Sequence, residues 1–260
     1  MNRALIFDCD GVLSDTERDG HLVAFNQLFA EEGLDVRWSP EHYAGLLRIG
    51  GGKERMHTLF GDEELVDKHG LPRDRDRQAA VVTAWHRRKT EIFRRLVSEG
   101  RLPGRPGVAR LAAEAQAAGW QLAVASTAAK ASVRSIVEHV FPAAQASRFE
   151  VFAGDAVKHK KPAPDVYLLA LRGLGRSAGE VCVVEDSAIG LRASRAASCP
   201  TLITVSDFTA GEDFSGASLV VDSLGDEAHP VRVIDTVLPR RPRGLITLGV
   251  VDRVIKAATG

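Results

Sequence analysis

The sequence predicts an α/β protein: an open parallel sheet interrupted after its first strand by an all-helical insertion. Three observations predict it. A short apolar run, Ala4-Leu5-Ile6-Phe7, ends abruptly on Asp8-Cys9-Asp10-Gly11. A stretch from about 16 to 98 then shows only helical periodicity. From Pro103-Gly104 onward, apolar strand-like runs alternate with amphipathic helical segments at the spacing of crossover units.

The elements follow in order. The run at 4–7 is too short for a helix and is bounded by a turn signal, so it reads as a buried strand. In the insertion, Leu22, Phe25, Leu28 and Phe29 share one helical face, and Val81, Val82, Trp85, Ile92, Phe93 and Leu96 form others. Gly50-Gly51-Gly52 breaks it as a flexible loop. Val108 to Ala118 reads as a helix stopped near Gly119, and Leu122 to Ala125 as a buried strand. A helix over about 130 to 140, a strand at 150–152 and a helix from Pro164 to Leu174 come next. The strand Val181 to Val184, the helix Ala188 to Ala197 and the strand Thr201 to Val205 complete the pattern. The core is expected over 1–15 and 99–235, the helical cap over 16–98, and 236–260 as an extension, either a terminal helix or a packed tail.

Composition narrows the classes. The 260 residues carry 34 Lys plus Arg against 34 Asp plus Glu. A zero net charge gives no broad field for nucleic acid or an anionic membrane. Cys9, Cys182 and Cys199 lie in or beside apolar runs and form no C-x-x-C pair, so they read as buried thiols in a reducing compartment. No run approaches a membrane span and no leader pattern is visible, so a cytoplasmic location is expected. The expected partner is a small molecule, with no obligate protein partner evident.

Four polar clusters stand at predicted strand ends, where open parallel sheets bind ligands. Asp8 and Asp10 leave a strand on the same side; one carboxylate can attack phosphorus while the other moves protons. Ser126-Thr127 can hold a phosphate with hydroxyl and backbone amides, or merely cap a helix. Lys161, ahead of Pro162, is kept off helical geometry and can project into a pocket, or belong to a solvated lysine pair. Glu185-Asp186 suit a hard cation such as Mg²⁺, or favour the dipole of the next helix. In the insertion, Gly50-Gly51-Gly52-Lys53-Glu54-Arg55 sets free amides beside two cations, which suits a second anionic group. His86 and Lys89 lie one turn apart on a helix face that could equally be a solvated basic one.

The order of the four core clusters resembles the haloacid dehalogenase superfamily of phosphotransferases, over nearly the whole length to about residue 235. The resemblance implies a Rossmannoid core in which Asp8 forms an aspartyl-phosphate and Asp10 is the acid and base. Ser126 or Thr127, with Lys161, would hold the phosphoryl oxygens. Mg²⁺ would sit on Asp8, the Asp10 carbonyl and Asp186, with Glu185 assisting. The helical insertion resembles the cap of the β-phosphoglucomutase-like subgroup. The segments Thr16 to His21, Gly51 to Arg55, His86 to Glu91 and Val184 to Leu191 look like the CbbY family. That implies hydrolysis of xylulose-1,5-bisphosphate to xylulose-5-phosphate, with Glu17, Gly50, Gly51, Gly52, Lys53, Glu54, His86 and Lys89 as substrate contacts. A phosphomutase, a phosphatase of another sugar phosphate, and a non-catalytic metabolite binder remain alternatives at this point.

Overall fold

The computed structural model describes residues 3–49 and 51–259, and they fall into two compact units, Met1–Asp15 with Pro103–Gly260, and Thr16–Leu102. Strand β1 (Ala4–Phe7) is completely buried, which is why it reads as an unbroken apolar run.

The unit Thr16–Leu102 contains no strand among the described residues. A π-helical turn, Thr16–His21, runs into α1 (Leu22–Glu31). There follow α2 (Pro40–Leu46), α3 (Gly52–His57), α4 (Glu63–His69) and the long α5 (Arg75–Ser98). Ser39, Asp62 and Asp74 cap α2, α4 and α5 by accepting the backbone N–H three residues on. The apolar stripes read from the sequence meet here: α1 packs along α5. Phe25, Phe29, Trp38 and Tyr43 form one aromatic cluster, with Phe25 and Trp38 ring centres 4.9 Å apart.

The other unit resumes with α6 (Val108–Ala117), β2 (Gln121–Ala125), α7 (Lys130–Val140), α8 (Ala143–Ala146) and β3 (Phe149–Phe152). It continues through α9 (Asp165–Leu174), β4 (Val181–Glu185), α10 (Ala188–Ala196) and β5 (Thr201–Thr204). β6 (Leu219–Val221), β7 (Val233–Thr236) and α11 (Leu248–Thr259) close the chain. The seven strands lie in the order β3-β2-β1-β4-β5-β6-β7. All pairs are parallel except β6–β7, which is antiparallel with a register shift at Val220/Val221. Beyond the strands expected from the sequence, the sheet gains two: β6, parallel to β5, and the antiparallel edge β7. β7 is only half-buried at best, so it lacks the apolar run that marks the inner strands. On one face, Ala4, Ile6, Val181 and Val183 pack against Val166, Tyr167 and Ala170 of α9 and Ala193 of α10. α6 packs on β1 and β2, and α11 on β4 and β5, so the tail is a core helix. No described helix is long and apolar enough to cross a membrane.

Strand order reverses direction at β1: β2 and β3 extend one way, β4 to β7 the other. Such a switch point opens a crevice at the carboxyl ends of the central strands.

Candidate active site

Asp8 follows β1 directly, and its backbone N–H donates to Val184 O at 2.8 Å, which extends the β1–β4 ladder to the rim of the crevice. Its carboxylate accepts from Lys161 Nζ at 2.5 Å. Lys161, whose bond to Pro162 is cis, has a side chain only 7% exposed. It also donates to Ala125 O at 3.0 Å, at the end of β2, and to Glu185 Oε1 at 2.6 Å, at the end of β4. One ammonium thus ties three neighbouring strand ends together, spending its three donors on them.

Glu185 is completely buried and fully engaged. Tyr167 OH donates to the same Oε1 at 2.6 Å, and the Tyr167 ring lies 4.8 Å below Lys161 Nζ. Glu185 Oε2 accepts from the Asp186 backbone N–H at 3.0 Å. Burial pushes the Glu185 carboxyl up, but the Lys161 charge and hydrogen bonds carry it below its ordinary value. Burial pushes Lys161 down, and the charges of Asp8 and Glu185 more than offset this, so it stays protonated.

Asp8 and Asp186 both shift the opposite way to Glu185. Burial first, then the charges of Glu185 and Asp10, raise the Asp8 carboxyl to about 7 against the pull of Lys161. Burial, then Glu185 and Asp8, push Asp186 well above the carboxylate range. One oxygen each from Asp8, Glu185 and Asp186 lies within 4.8 Å of the others. Ionising all three carboxylates beside the one ammonium would leave an excess of negative charge, which, on top of burial, is why two of them hold their protons more tightly. A divalent cation would relieve it, and an all-oxygen donor set matches a hard one. Gly11 is required in this packing: its φ is +78°, and a Cβ there would stand 2.0 Å from Asp186 Oδ2.

Asp10 sits half-buried in the turn after β1, bridged to Ser14. Ser126 is buried at the end of β2, and its Oγ accepts from Ala128 N at 3.1 Å, so it also shapes its own loop; Thr127 beside it is half-buried. Thus Asp8, Lys161, Glu185 and Asp186 are in direct contact or within ligand reach, with Asp10 and Ser126 on adjoining strand ends. Tyr167 and Arg105 were not singled out from the sequence. A lone hydroxyl on the buried face of α9 was a signal for the first, since a buried tyrosine needs a polar partner. Nothing local marked the second.

The helical unit gathers its own charges. Tyr43 OH donates to Glu17 Oε2 at 2.5 Å, and Arg55 Nη1 to Tyr43 Oη at 2.9 Å. Lys89 is buried, with Nζ 2.8 Å from His21 Nδ1 and 4.6 Å from the Phe25 ring centre. Burial, then the charges of Lys89 and Arg55, hold His21 well below its ordinary pKa. Burial, then Lys89 and Lys53, lower His86 likewise. Burial first and neighbouring cations second hold both histidines below their ordinary pKa, and an anion would neutralise the cationic part of that field. Gly52 lies against the His86 ring, where a Cβ would approach within 3.3 Å. The Glu54 carboxylate lies over Gly51, whose φ of +105° only glycine adopts readily. Gly50, expected in the same loop, lies outside the described residues. The sequence named Arg55 only as part of that loop and His21 only within a motif; Tyr43 went unnoticed.

Comparison with known proteins agrees with this architecture. The family model for haloacid dehalogenase-like hydrolases matches residues 2–198. A CBBY-like protein of Arabidopsis thaliana is 44% identical over 223 residues, covering 86% of this chain and 69% of that protein. Protein CbbY of Cupriavidus necator is 43% identical over 230 residues, 88% of each chain. A crystal structure of a mutant CbbY from Rhodobacter sphaeroides, in complex with xylulose-(1,5)bisphosphate, superposes with a TM-score of 0.70 at 38% identity. It covers 88% of this chain and 98% of that one. With an acidic cluster and its lysine at the switch point of such a sheet, the chain belongs to the haloacid dehalogenase-like hydrolases and is a phosphatase of that family.

Proposed function

We propose that this phosphatase hydrolyses xylulose-1,5-bisphosphate to xylulose-5-phosphate, with Mg²⁺ as cofactor and Asp8 as nucleophile. The observation that carries the substrate is the gathering of Lys53, Arg55 and Lys89 around His21 and His86 in the helical unit, since a monophosphate needs no second anion site. The R. sphaeroides relative holding a sugar bisphosphate supports it.

An Asp8 carboxylate oxygen attacks phosphorus, and the bond from phosphorus to the sugar oxygen breaks. Asp10 gives its proton to that oxygen, leaving an aspartyl-phosphate. Asp10 then takes a proton from water, whose oxygen attacks phosphorus and frees inorganic phosphate and Asp8. Lys161 balances charge on the phosphoryl oxygens, and Glu185 with Tyr167 holds it in place. Ser126 and Thr127 present donors at the end of β2. Mg²⁺ would be held by Asp8, the Asp10 carbonyl and Asp186, with Glu185 behind them, and would supply charge neutralisation for the incoming phosphate. Glu17, the loop at Gly50 to Glu54, His86 and Lys89 would contact the sugar and its second phosphate.

The test is phosphate release with Mg²⁺ from a panel of sugar mono- and bisphosphates. Strong preference for xylulose-1,5-bisphosphate is expected. Release from monophosphates alone would discard the substrate, and a positional isomer formed without phosphate release would make the chain a mutase. Within that panel, Lys53→Ala is expected to raise KM for the bisphosphate at least about tenfold, in line with about 1.5–3 kcal/mol for a hydrogen bond to a charged group, while monophosphates change little. Equal losses on both would remove Lys53 as reader of the second phosphate.

The metal assignment has its own readout. A native Asp8 pKa near 7 means that the folded state holds this proton more tightly than the unfolded chain. Its contribution is therefore intact below the ordinary aspartate value and is lost as pH rises through about 7. Mg²⁺ binds the ionised form and should reverse that loss. Magnesium is expected to raise Tm clearly at about pH 8 and hardly at all at about pH 4.5, where protons hold the carboxylates. A shift of the same size at both would place the metal elsewhere.

A further inference from the structure

We propose that Arg105 is a positioning residue of this phosphatase: its guanidinium fixes the backbone turn that carries Asp10 against the ends of β5 and β6, beside the acidic cluster. Its side chain is 8% exposed. Nη1 donates to Gly11 O, to Thr204 O at 2.9 Å and to Thr204 Oγ1 at 3.1 Å. Nη2 donates to Val205 O at 2.6 Å and Asp222 O at 2.8 Å. Nε stands 3.6 Å from Asp15 Oδ1. The Arg105 backbone N–H donates to Leu13 O at 2.9 Å, beside the antiparallel bridge of Ser14 with Gly104. One side chain therefore gathers the turn after β1, the returning chain at 103–105, and the ends of β5 and β6.

The geometry carries a catalytic consequence because of what lies on each side of Gly11. Asp10 is the preceding residue, so the Gly11 carbonyl is one peptide beyond it. The Asp186 carboxylate packs where a Gly11 Cβ would be. The Gly11 peptide is thus held between Arg105 and Asp186. A lysine could satisfy the charge but not this fan of acceptors, because only the planar guanidinium presents five donors in a fixed fork. Releasing the Gly11 carbonyl lets the Asp10 turn drift, and small misplacements of an acid/base group are expensive.

The inference rests on Asp10 as the acid and base, so the experiment separates the two. Asp10→Asn, Arg105→Lys and Arg110→Lys are compared with the parent at saturating magnesium, on a sugar bisphosphate and on para-nitrophenyl phosphate. Arg110 is a matched control: it donates to Gly225 O, Leu224 O and Ile246 O, away from the acidic cluster. Arg105→Lys is expected to lower kcat about 10–100-fold on both substrates, the range for outer groups that orient a catalytic centre, with KM nearly unchanged. Arg110→Lys is expected to lower Tm and keep kcat. In a folded Arg105→Ala protein, added guanidinium should restore part of kcat. A kcat near parental for Arg105→Lys, or the same kcat loss in Arg110→Lys, overturns the proposal. Retained activity in Asp10→Asn overturns the acid/base reading itself, and the positioning claim with it. An inactive Asp10→Asn beside an active Arg105→Lys sinks only the claim for Arg105.

Discussion

Asp8→Asn abolishes turnover, with an expected loss of about 10⁴-fold or more in kcat, as for other nucleophiles that act as one unit with their partners. The substitution keeps the shape of the side chain at the end of β1 and removes only its charge. An amide oxygen can still accept from Lys161, so the bridge among the strand ends survives in weaker form. Stability should stay close to parental at neutral pH, because Asp8 is a carboxylate whose charge burial already opposes. The check is single-turnover phosphate release together with a denaturation curve. Residual turnover at even a few per cent, in protein free of deamidation, would remove Asp8 as nucleophile and leave direct attack by water.

Lys161→Ala is expected to damage folding and chemistry together. Glu185 is completely buried, and Lys161 is the cation paired with it. Removing one member of a buried pair costs about 3–5 kcal/mol, because the other charge is left uncompensated. The sign of its pH dependence follows from the same pair. With Lys161 present, Glu185 is held below its ordinary pKa, so the pairing stabilises the fold above that range and is lost as pH falls through the native value. Without Lys161, burial is opposed by the weaker hydrogen bonds from Tyr167 and the Asp186 backbone, and the carboxyl takes up a proton more readily. The deficit of the variant should therefore be larger at about pH 8 than at about pH 5. In the fraction that folds, kcat should fall about 10²–10³-fold, the loss seen when one transition-state donor is removed. Urea unfolding at both pH values and kcat measurement decide it. A deficit independent of pH would mean that Glu185 does not carry the burden assigned to it.

Much of the core was legible because inner strands of a parallel sheet are buried on both faces. Runs such as Ala4 to Phe7 and Val181 to Val184 therefore need no alternation to be recognised, and polar residues ending them mark the crevice. The antiparallel β7 was not legible for the same reason in reverse: half-exposed at an edge, it carries Asp235 and Thr236 and no apolar run. The task of Glu185 was legible only in part. Its acidity pointed to a cation, whereas the structure also shows both its oxygens engaged, one by Lys161 and Tyr167 and the other by backbone. Arg105 was silent because its acceptors at Thr204, Val205 and Asp222 lie about a hundred positions away, and no local pattern encodes such a contact. The cation field of the helical unit was half-visible. Lys53 and Arg55 stand in a glycine-rich loop, but Lys89 reads as one more charge on a basic stretch until Phe25, Phe93 and His21 are seen around it.

The pairing of Ser14 with Gly104 has a consequence for how such a chain diversifies. Bridge partners in antiparallel register stand about 5 Å apart, so the chain departs from the sheet and rejoins it through one narrow gate. Seen from the sheet, everything from Thr16 to Leu102 is a single loop whose ends are already closed. The entropy of closing a loop grows only with the logarithm of its length. Residues in that stretch can be lengthened, shortened or replaced with little effect on the register of β1 against β2 and β4. The helical stretch and the sheet can thereby change at different rates within one gene.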